Sequence, residues 1–277
     1  DYHSREEKLE IIRRFRSATN PEMPWKQLWP NEAGDWISQR NDLFKTFIPL
    51  GDKDDKSNTK TFFVPYYSNG IKTQRDAWCY NSSKSKLCRN IKSHLSFYND
   101  QRNAYHQKRK RESGNFREFA TRDSACISWS TALENDAENN VELSFDSKLV
   151  VISNYRPFFK QYLYYSRDLN ERVYQMPRIF PDDSVNNYSL CFSALSESGS
   201  VLIVDKIPDL HFVGDTQTFP RYYYGLNPNS ALELFQDDSS RDSGQKDAIT
   251  DYIHKEAVRL YGKRVSKDDL FYYVYGF

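Results

Sequence analysis

The sequence has little of what metal binding or catalysis would need. It has four cysteines, Cys79, Cys88, Cys126 and Cys191, with no pair at CxxC spacing. No histidine stands at a zinc-finger distance from any pair, which argues against the common structural zinc modules. So few cysteines in 277 residues also argue against a disulfide framework. The expectation is reduced, mostly buried thiols in a cytoplasmic protein. No apolar run approaches the ~18 residues that cross a bilayer, so no membrane partner is expected. The first residues, Asp1-Tyr2-His3-Ser4-Arg5-Glu6, contain neither the basic nor the apolar region of a signal peptide.

Catalytic signatures are missing as well. There is no GxxxxGK[ST] loop and no GxGxxG following a strand. There is no Asn-Pro-Pro-Tyr or Asp-Pro-Pro-Tyr tetrapeptide of the kind with which amino-methyltransferases hold a flipped base, no HExxH and no GxSxG. These absences weigh against an NTPase, a dinucleotide enzyme, a methyltransferase, a zinc protease and a serine hydrolase. One fragment, Asp146-Ser147-Lys148, fits the end of a metal-dependent nuclease site, with Glu142 or Asp136 as the acid that would share the metal. A three-residue match of this kind arises often by chance. Asp1 in place of a methionine, and an apolar pattern that stops at Phe277, predict a segment of a longer polypeptide.

Aromatic residues are abundant, at 16% with 20 tyrosines, so the chain folds. Many tyrosines are expected at the edge of the core or on a binding face, because a buried hydroxyl needs a partner. The net charge is only +1, but it is unevenly spread. Lys84 to Arg122 holds eleven basic residues against Asp100, Glu112 and Glu118, while Glu134, Asp136, Glu138, Glu142 and Asp146 follow with no cation among them. Such segregation predicts a positive face suited to nucleic acid.

Periodicity predicts a helix from Ser4 to Ala18, ended by Asn20-Pro21, and then an irregular connector to Asp35 anchored by Trp25, Trp29 and Trp36. Thr61–Tyr67 reads as a strand before the turn at Ser68-Asn69-Gly70. Leu87, Ile91, Leu95, Tyr98 and Tyr105 form one stripe of a long helix with cations on its other faces. Ile127–Ala137 reads as a helical piece, and Val141, Leu143 and Phe145 alternate as in a strand. Strands are expected at Leu149–Ile152, Gln161–Tyr165, Ser189–Ala194, Val201–Asp205 and Arg221–Tyr224. A helix over Asp247–Tyr261 should stop at Gly262, and Ser266-Lys267-Asp268-Asp269 should open a last one. The expected fold class is α+β, a mixed or antiparallel β-rich domain with helices at both ends and one long basic helix.

Two segments carry the most information. In Ser68–Asn81 a glycine turn precedes Lys72, Thr73, Arg75 and Trp78, a pattern able to offer amides and cations to a phosphate. In Asn154–Tyr165, Arg156 and Lys160 are interleaved with aromatics, as suits groove reading or base stacking. The alternative for both is an arginine paired with Asp76 or another carboxylate inside the fold. The candidate DNA-contacting residues are Lys72, Thr73, Arg75, Lys84, Lys86, Arg89, Arg156, Lys160, Arg167 and Arg178.

At these residues the sequence resembles the C-terminal target-recognition region of Type ISP restriction–modification enzymes. The matching pieces run in order: Gly34-Asp35-Trp36-Ile37, the Ser68–Asn81 segment, Phe97-Tyr98-Asn99, and Tyr155-Arg156-Pro157-Phe158 with Lys160. They continue through Ile207-Pro208-Asp209-Leu210-His211-Phe212, Phe219-Pro220 with Tyr222-Tyr223-Tyr224, and Asp269 to Gly276. In that family one chain carries a nuclease, an ATP-driven translocase, an adenine methyltransferase and a recognition domain. The resemblance implies a non-catalytic module that reads a short asymmetric duplex site and braces it while the methyltransferase flips an adenine. It implies no cofactor in this chain, with S-adenosylmethionine, ATP and Mg2+ used elsewhere in the enzyme. Residues 1–60 would lead in from a methyltransferase domain, 61–240 would be the recognition domain, and 241–277 a C-terminal helical segment. The methyltransferase and translocase domains would then be partners alongside duplex DNA. The matching motifs are expected to be scaffold and phosphate contacts, because base-reading residues vary with the sequence recognised.

Overall fold

A computed structural model describes residues 4–16, 26–32, 34–37, 39–109, 114–193, 200–225 and 244–276. The chain divides into two compact units, residues 1–48 and 49–277.

The first unit contains helix α1 (Arg5–Phe15). Ser4 caps it by accepting the Glu7 amide, and it ends where Arg16 turns left-handed. Ala18, Asn20, Pro21 and Trp25 lie outside the described residues. Farther on, Asp35 accepts two hydrogen bonds from Arg40 at 2.7 Å and one from Asn31 at 2.9 Å. The Arg40 bonds hold the Asp35 carboxyl well below the usual carboxylate range. Trp29 and Trp36 are exposed and do not anchor this segment as expected. No described side chain between Ser4 and Ile48 is buried.

The second unit begins with β1 (Ser68–Asn69), α2 (Asp76–Cys79), β2 (Tyr80–Asn81) and the long helix α3 (Lys84–Arg109). Short helices α4 (Phe116–Phe119) and α5 (Thr131–Glu138) precede a hairpin of β3 (Val150–Arg156) and β4 (Phe159–Tyr164). Then follow α6 (Met176–Ile179), β5 (Ser189–Ser193), β6 (Val201–Val204), β7 (Ile207–Pro208), β8 (Thr216–Pro220), β9 (Tyr222–Tyr224) and β10 (Gln245–Asp247). Helices α7 (Asp251–Tyr261) and α8 (Lys267–Gly276) close the chain. The architecture is α+β, with helices toward both ends.

Two four-stranded sheets, ordered β1-β8-β5-β6 and β2-β4-β3-β7, organise this unit, with β9 and β10 as a separate pair. Two cores form, and the β1-β8-β5-β6 sheet contributes to both, with Cys191 and Val204 in the first and Leu190 and Phe219 in the second. Leu87, Ile91, Leu95, Tyr98 and Tyr105, the stripe legible in the sequence, pack with Leu163, Tyr164 and Val151. Phe63, Leu190 and Phe219 pack with Ile253, Ala257, Leu270 and Phe271 of the last two helices. Ser266 caps α8 by accepting the Asp269 amide while its own amide donates to the Asp269 carboxylate. Arg221, 7% exposed, ties this helix down through Asp268 and Asp247.

Several expected elements differ, each for a local reason. Thr61–Tyr67 forms one isolated bridge, Phe63 to Ile249, and not a strand; Pro65 has no N–H to extend a ladder. Val141–Phe145 joins no sheet. Asn99 of α3 substitutes for a partner strand, donating to the Leu143 carbonyl at 2.7 Å and accepting the Leu143 amide at 3.3 Å. The Tyr98 hydroxyl donates to the Val141 carbonyl. The helix expected from Ile127 starts at Thr131, where Ser130 accepts the Leu133 amide. Asp247 pairs in β10, and α7 begins only after the Thr250 cap; Gly262 ends it as expected, at φ 94°. Ala194 lies outside the described residues.

Candidate nucleic-acid interface

Strand directions bring the informative segments to one end of the β2-β4-β3-β7 sheet. Strands β3 and β4 are joined by a two-residue turn at Pro157-Phe158, with Arg156 paired to Phe159. Strand β2 runs antiparallel to β4, Tyr80 opposite Leu163 and Asn81 opposite Tyr162. The chain therefore leaves β2 toward that turn, and α3 starts there. Strand β7 is parallel to β3, so Asp209 and His211 emerge at the same end. Ile71 bridges Asp209 in parallel. A β-carbon on Gly70 would fall on the Asp209 carbonyl, so only glycine permits this approach.

A polar cluster ties these pieces together. Arg156 donates to the Asp209 carboxylate at 2.7 Å, stands 3.8 Å from that of Asp76, and lies 3.9 Å over the Tyr155 ring. The Tyr155 hydroxyl donates to Asp76 at 3.0 Å, and Thr73 donates to the other Asp76 oxygen. The Asp209 side chain is only 3% exposed. Burial raises its pKa, opposed by hydrogen bonds from the His211 amide and Arg156.

Four of the expected contacts make bonds within the fold. Arg75 is 4% exposed, its guanidinium donating to the Leu169 carbonyl at 2.5 Å, and burial lowers its pKa. It is turned into the fold beside the buried Cys79 and is not available to a phosphate. Thr73 is buried against Asp76. Arg156 takes the ion-paired alternative, bound to Asp209. Lys160 is paired with Asp205 at 2.8 Å. A glycine turn followed by cations is compatible with either orientation, and only the packing of Leu169, Asp76 and Asp209 decides between them.

Folding offsets part of the segregated charge. Helix α5 packs on α3. Glu134 accepts from Arg122 at 2.6 Å with Arg117 at 3.8 Å, and Glu142 stands 3.4 Å from the buried Arg102. Lys110 and Arg111 lie outside the described residues. At the start of α3, Lys84, Lys86 and Arg89 are exposed with no ion pair among the described residues, and Lys92 lies 4.9 Å over the Phe145 ring; Lys108 and Arg109 are exposed at its far end. Lys72 is half-buried and similarly without an ion pair, its backbone bridged to Arg172. Arg167 is half-buried. Arg178 stands apart on α6, 4.9 Å over the Tyr66 ring.

The four cysteines are free, Cys79 and Cys191 being buried and Cys88 and Cys126 half-buried; burial pushes Cys79 and Cys191 up to about 12. The Asp146 carboxylate caps a short turn by accepting the Lys148 amide at 2.9 Å, which accounts for the Asp-x-Lys fragment structurally. Among the described residues no three His, Cys, Asp or Glu side chains are grouped to hold a metal, and no helix is long and apolar enough to cross a membrane.

At one end of the sheet, then, the exposed cations Lys84, Lys86 and Arg89 stand beside a hairpin braced by the Arg156–Asp209 ion pair. The profile of the Type ISP C-terminal specificity domain matches residues 62–277, and the chain belongs to that family. It is similar to a nuclease-deletion mutant of the Type ISP restriction-modification enzyme LlaGI in complex with a DNA substrate mimic. The identity is 29% and the TM-score 0.75, over 100% of this chain and 23% of that one. It is also similar to the ATP-dependent Type ISP restriction-modification enzyme LlaBIII bound to DNA, at 30% identity and TM-score 0.74, over 98% of this chain and 16% of that one. The DrdV–DNA complex shares the fold at 24% identity and TM-score 0.75, over 98% of this chain and 25% of that one. The chain thus spans a quarter or less of these relatives. A comparison with curated proteins gave no match.

Proposed function

We propose that this chain reads a duplex DNA target for a Type ISP restriction–modification enzyme and does no chemistry itself. The observation that carries this reading, beyond family membership, is the group of unpaired cations Lys84, Lys86 and Arg89 at the end of the sheet where the hairpin turns. Their charges would neutralise phosphates and set register, while neighbouring loops enter a groove to read bases. Lys72 and Arg167 are secondary candidates for phosphate contact.

The nuclease, translocase and methyltransferase belong, on this reading, to other parts of a cytoplasmic polypeptide. S-adenosylmethionine, ATP and Mg2+ are assigned there, since this chain offers neither a phosphate loop nor a grouped metal-ligand set among the described residues. The first unit supports such a linkage. Leu9 and Ile12 of α1, with Trp29, Trp36, Phe44 and Phe47, are exposed. Apolar surface on this scale calls for a covering partner, and we assign that role to the methyltransferase part of the same polypeptide.

The test is selection of bound duplexes from a random pool by the purified chain, followed by sequencing. Enrichment of one asymmetric site, with retention that weakens as salt rises, supports target reading. Retention without enrichment, or none, would leave the chain as a scaffold between modules. Incubation with plasmid and Mg2+ or Mn2+ should leave the plasmid intact; cleavage abolished by Asp146→Ala would restore the nuclease alternative.

A further inference from the structure

The β3–β4 turn carries a side chain that the fold does not use. Phe158 is 94% exposed, and Phe159 beside it is 48% exposed. Phe158 also sits at φ 61°, in the left-handed region that glycine or asparagine occupies at least cost. Pro157 holds the first central position of the turn, and Phe158 at positive φ completes it in the form that usually takes glycine or asparagine there. An exposed aromatic there weakens the fold twice, by the backbone it must adopt and by the apolar surface it leaves in water. Positions of this kind are retained for function.

The root of the turn is rigid. Arg156 is bound to Asp209, and a register shift between Asn154 and Arg156 marks a bulge that re-aims the tip. The unpaired Lys84 and Lys86 lie at the same end of the sheet. That juxtaposition of bare aromatic and surplus positive charge matches a polyanion with stacked rings inside it.

We propose that Phe158 is an apolar wedge that presses between base pairs of the bound duplex, partly unstacking one step. Side chains of this type act most readily at flexible pyrimidine–purine steps. The inference rests on the DNA-reading proposal above, and the experiment separates the two.

The selected duplex is labelled with 2-aminopurine at successive positions and bound by the chain and by Phe158 variants. The wild-type chain should raise fluorescence at one step. Phe158→Ala should abolish that rise and weaken binding about tenfold or more, with the salt slope unchanged because no phosphate contact is lost. Phe158→Leu, still apolar, should keep much of the signal. Phe158→Gly and Phe158→Asn should melt higher than the wild type while binding less tightly, which no purely structural role predicts. Failure of any site to enrich would remove the DNA-reading proposal and the wedge with it. An enriched site with no fluorescence rise at any step, or with Phe158→Ala binding as the wild type does, would overturn the wedge alone. The tip would then be a contact for another module or a second copy.

Discussion

Removing the Arg156 side chain separates scaffold from DNA contact. Asp209 is nearly inaccessible, and its carboxylate depends on Arg156 at 2.7 Å and the His211 amide at 2.9 Å. Truncating one partner of a fully buried pair costs ~3–5 kcal/mol, chiefly by stranding the other charge. Arg156 is 36% exposed, so solvent would reach the vacated space, and the discounted cost of Arg156→Ala is about 2 kcal/mol. For a domain of this size that lowers Tm by roughly 4–8 °C. The deficit should depend on pH. Without Arg156 the already raised Asp209 pKa rises further, so the folded variant holds a proton there that the unfolded chain has lost. Stability gained by that proton is present at low pH and lost as pH rises, so the deficit at pH 7 should exceed that at pH 4.5. Melts of wild type and variant at both pH values, beside binding at several salt concentrations, check this. The salt slope should stay close to wild type because no phosphate contact is lost, and any loss of affinity from a loosened Phe158 turn should be the same at every salt concentration. An unchanged Tm with weakened binding and a shallower slope would refute the reasoning and make Arg156 a phosphate contact.

Two further outcomes follow from buried groups. His94 is fully buried, accepts the Ser128 amide at Nε2, and has its pKa lowered to about 4, chiefly by burial and then by Arg75. The unfolded chain therefore binds the extra proton first. Stability should be complete above about pH 6.5 and fall by an order of 3 kcal/mol toward pH 4, and His94→Asn should flatten that part of a pH-dependent urea melt; an equally steep variant would contradict this. Gly70→Ala places a methyl group on the Asp209 carbonyl and should cost about 1–3 kcal/mol in a urea melt, whereas a neutral effect would mean that the two segments part easily.

Local patterns were legible where one element determines them. The stripe from Leu87 to Tyr105 needs only helical spacing, and Ser266 with Asp269 needs only three residues to mark a cap. What could not be read depended on distant partners. Val141–Phe145 alternates like a strand, but the side chain of Asn99, forty-odd residues earlier, takes the place of a neighbouring strand. Charge runs were visible, yet the pairs Arg122–Glu134 and Arg102–Glu142 form only when the segments around α5 fold back beside α3 and the loop after α4. Arg75 looked like a phosphate ligand because glycine, lysine, threonine and tryptophan surround it. Its inward direction is set by the Leu169 carbonyl, ninety-four residues away. The two informative segments do meet, where Tyr155 and Arg156 reach Asp76. His94 and Arg102, which complete the buried face of α3, carried no apolar signal. Phe158 looked like one more aromatic because the positive φ of its turn has no marker such as glycine or asparagine.

The most direct test of the proposed DNA contact is the salt dependence of duplex binding after Lys84, Lys86 and Arg89 are all changed to alanine. These side chains are exposed and unpaired among the described residues, so the melting temperature should hold. If each neutralises one phosphate, the slope of log K against log salt should become shallower by about 2.7, with affinity falling most at low salt. A slope identical to wild type would contradict the account and place the DNA on another face of the domain.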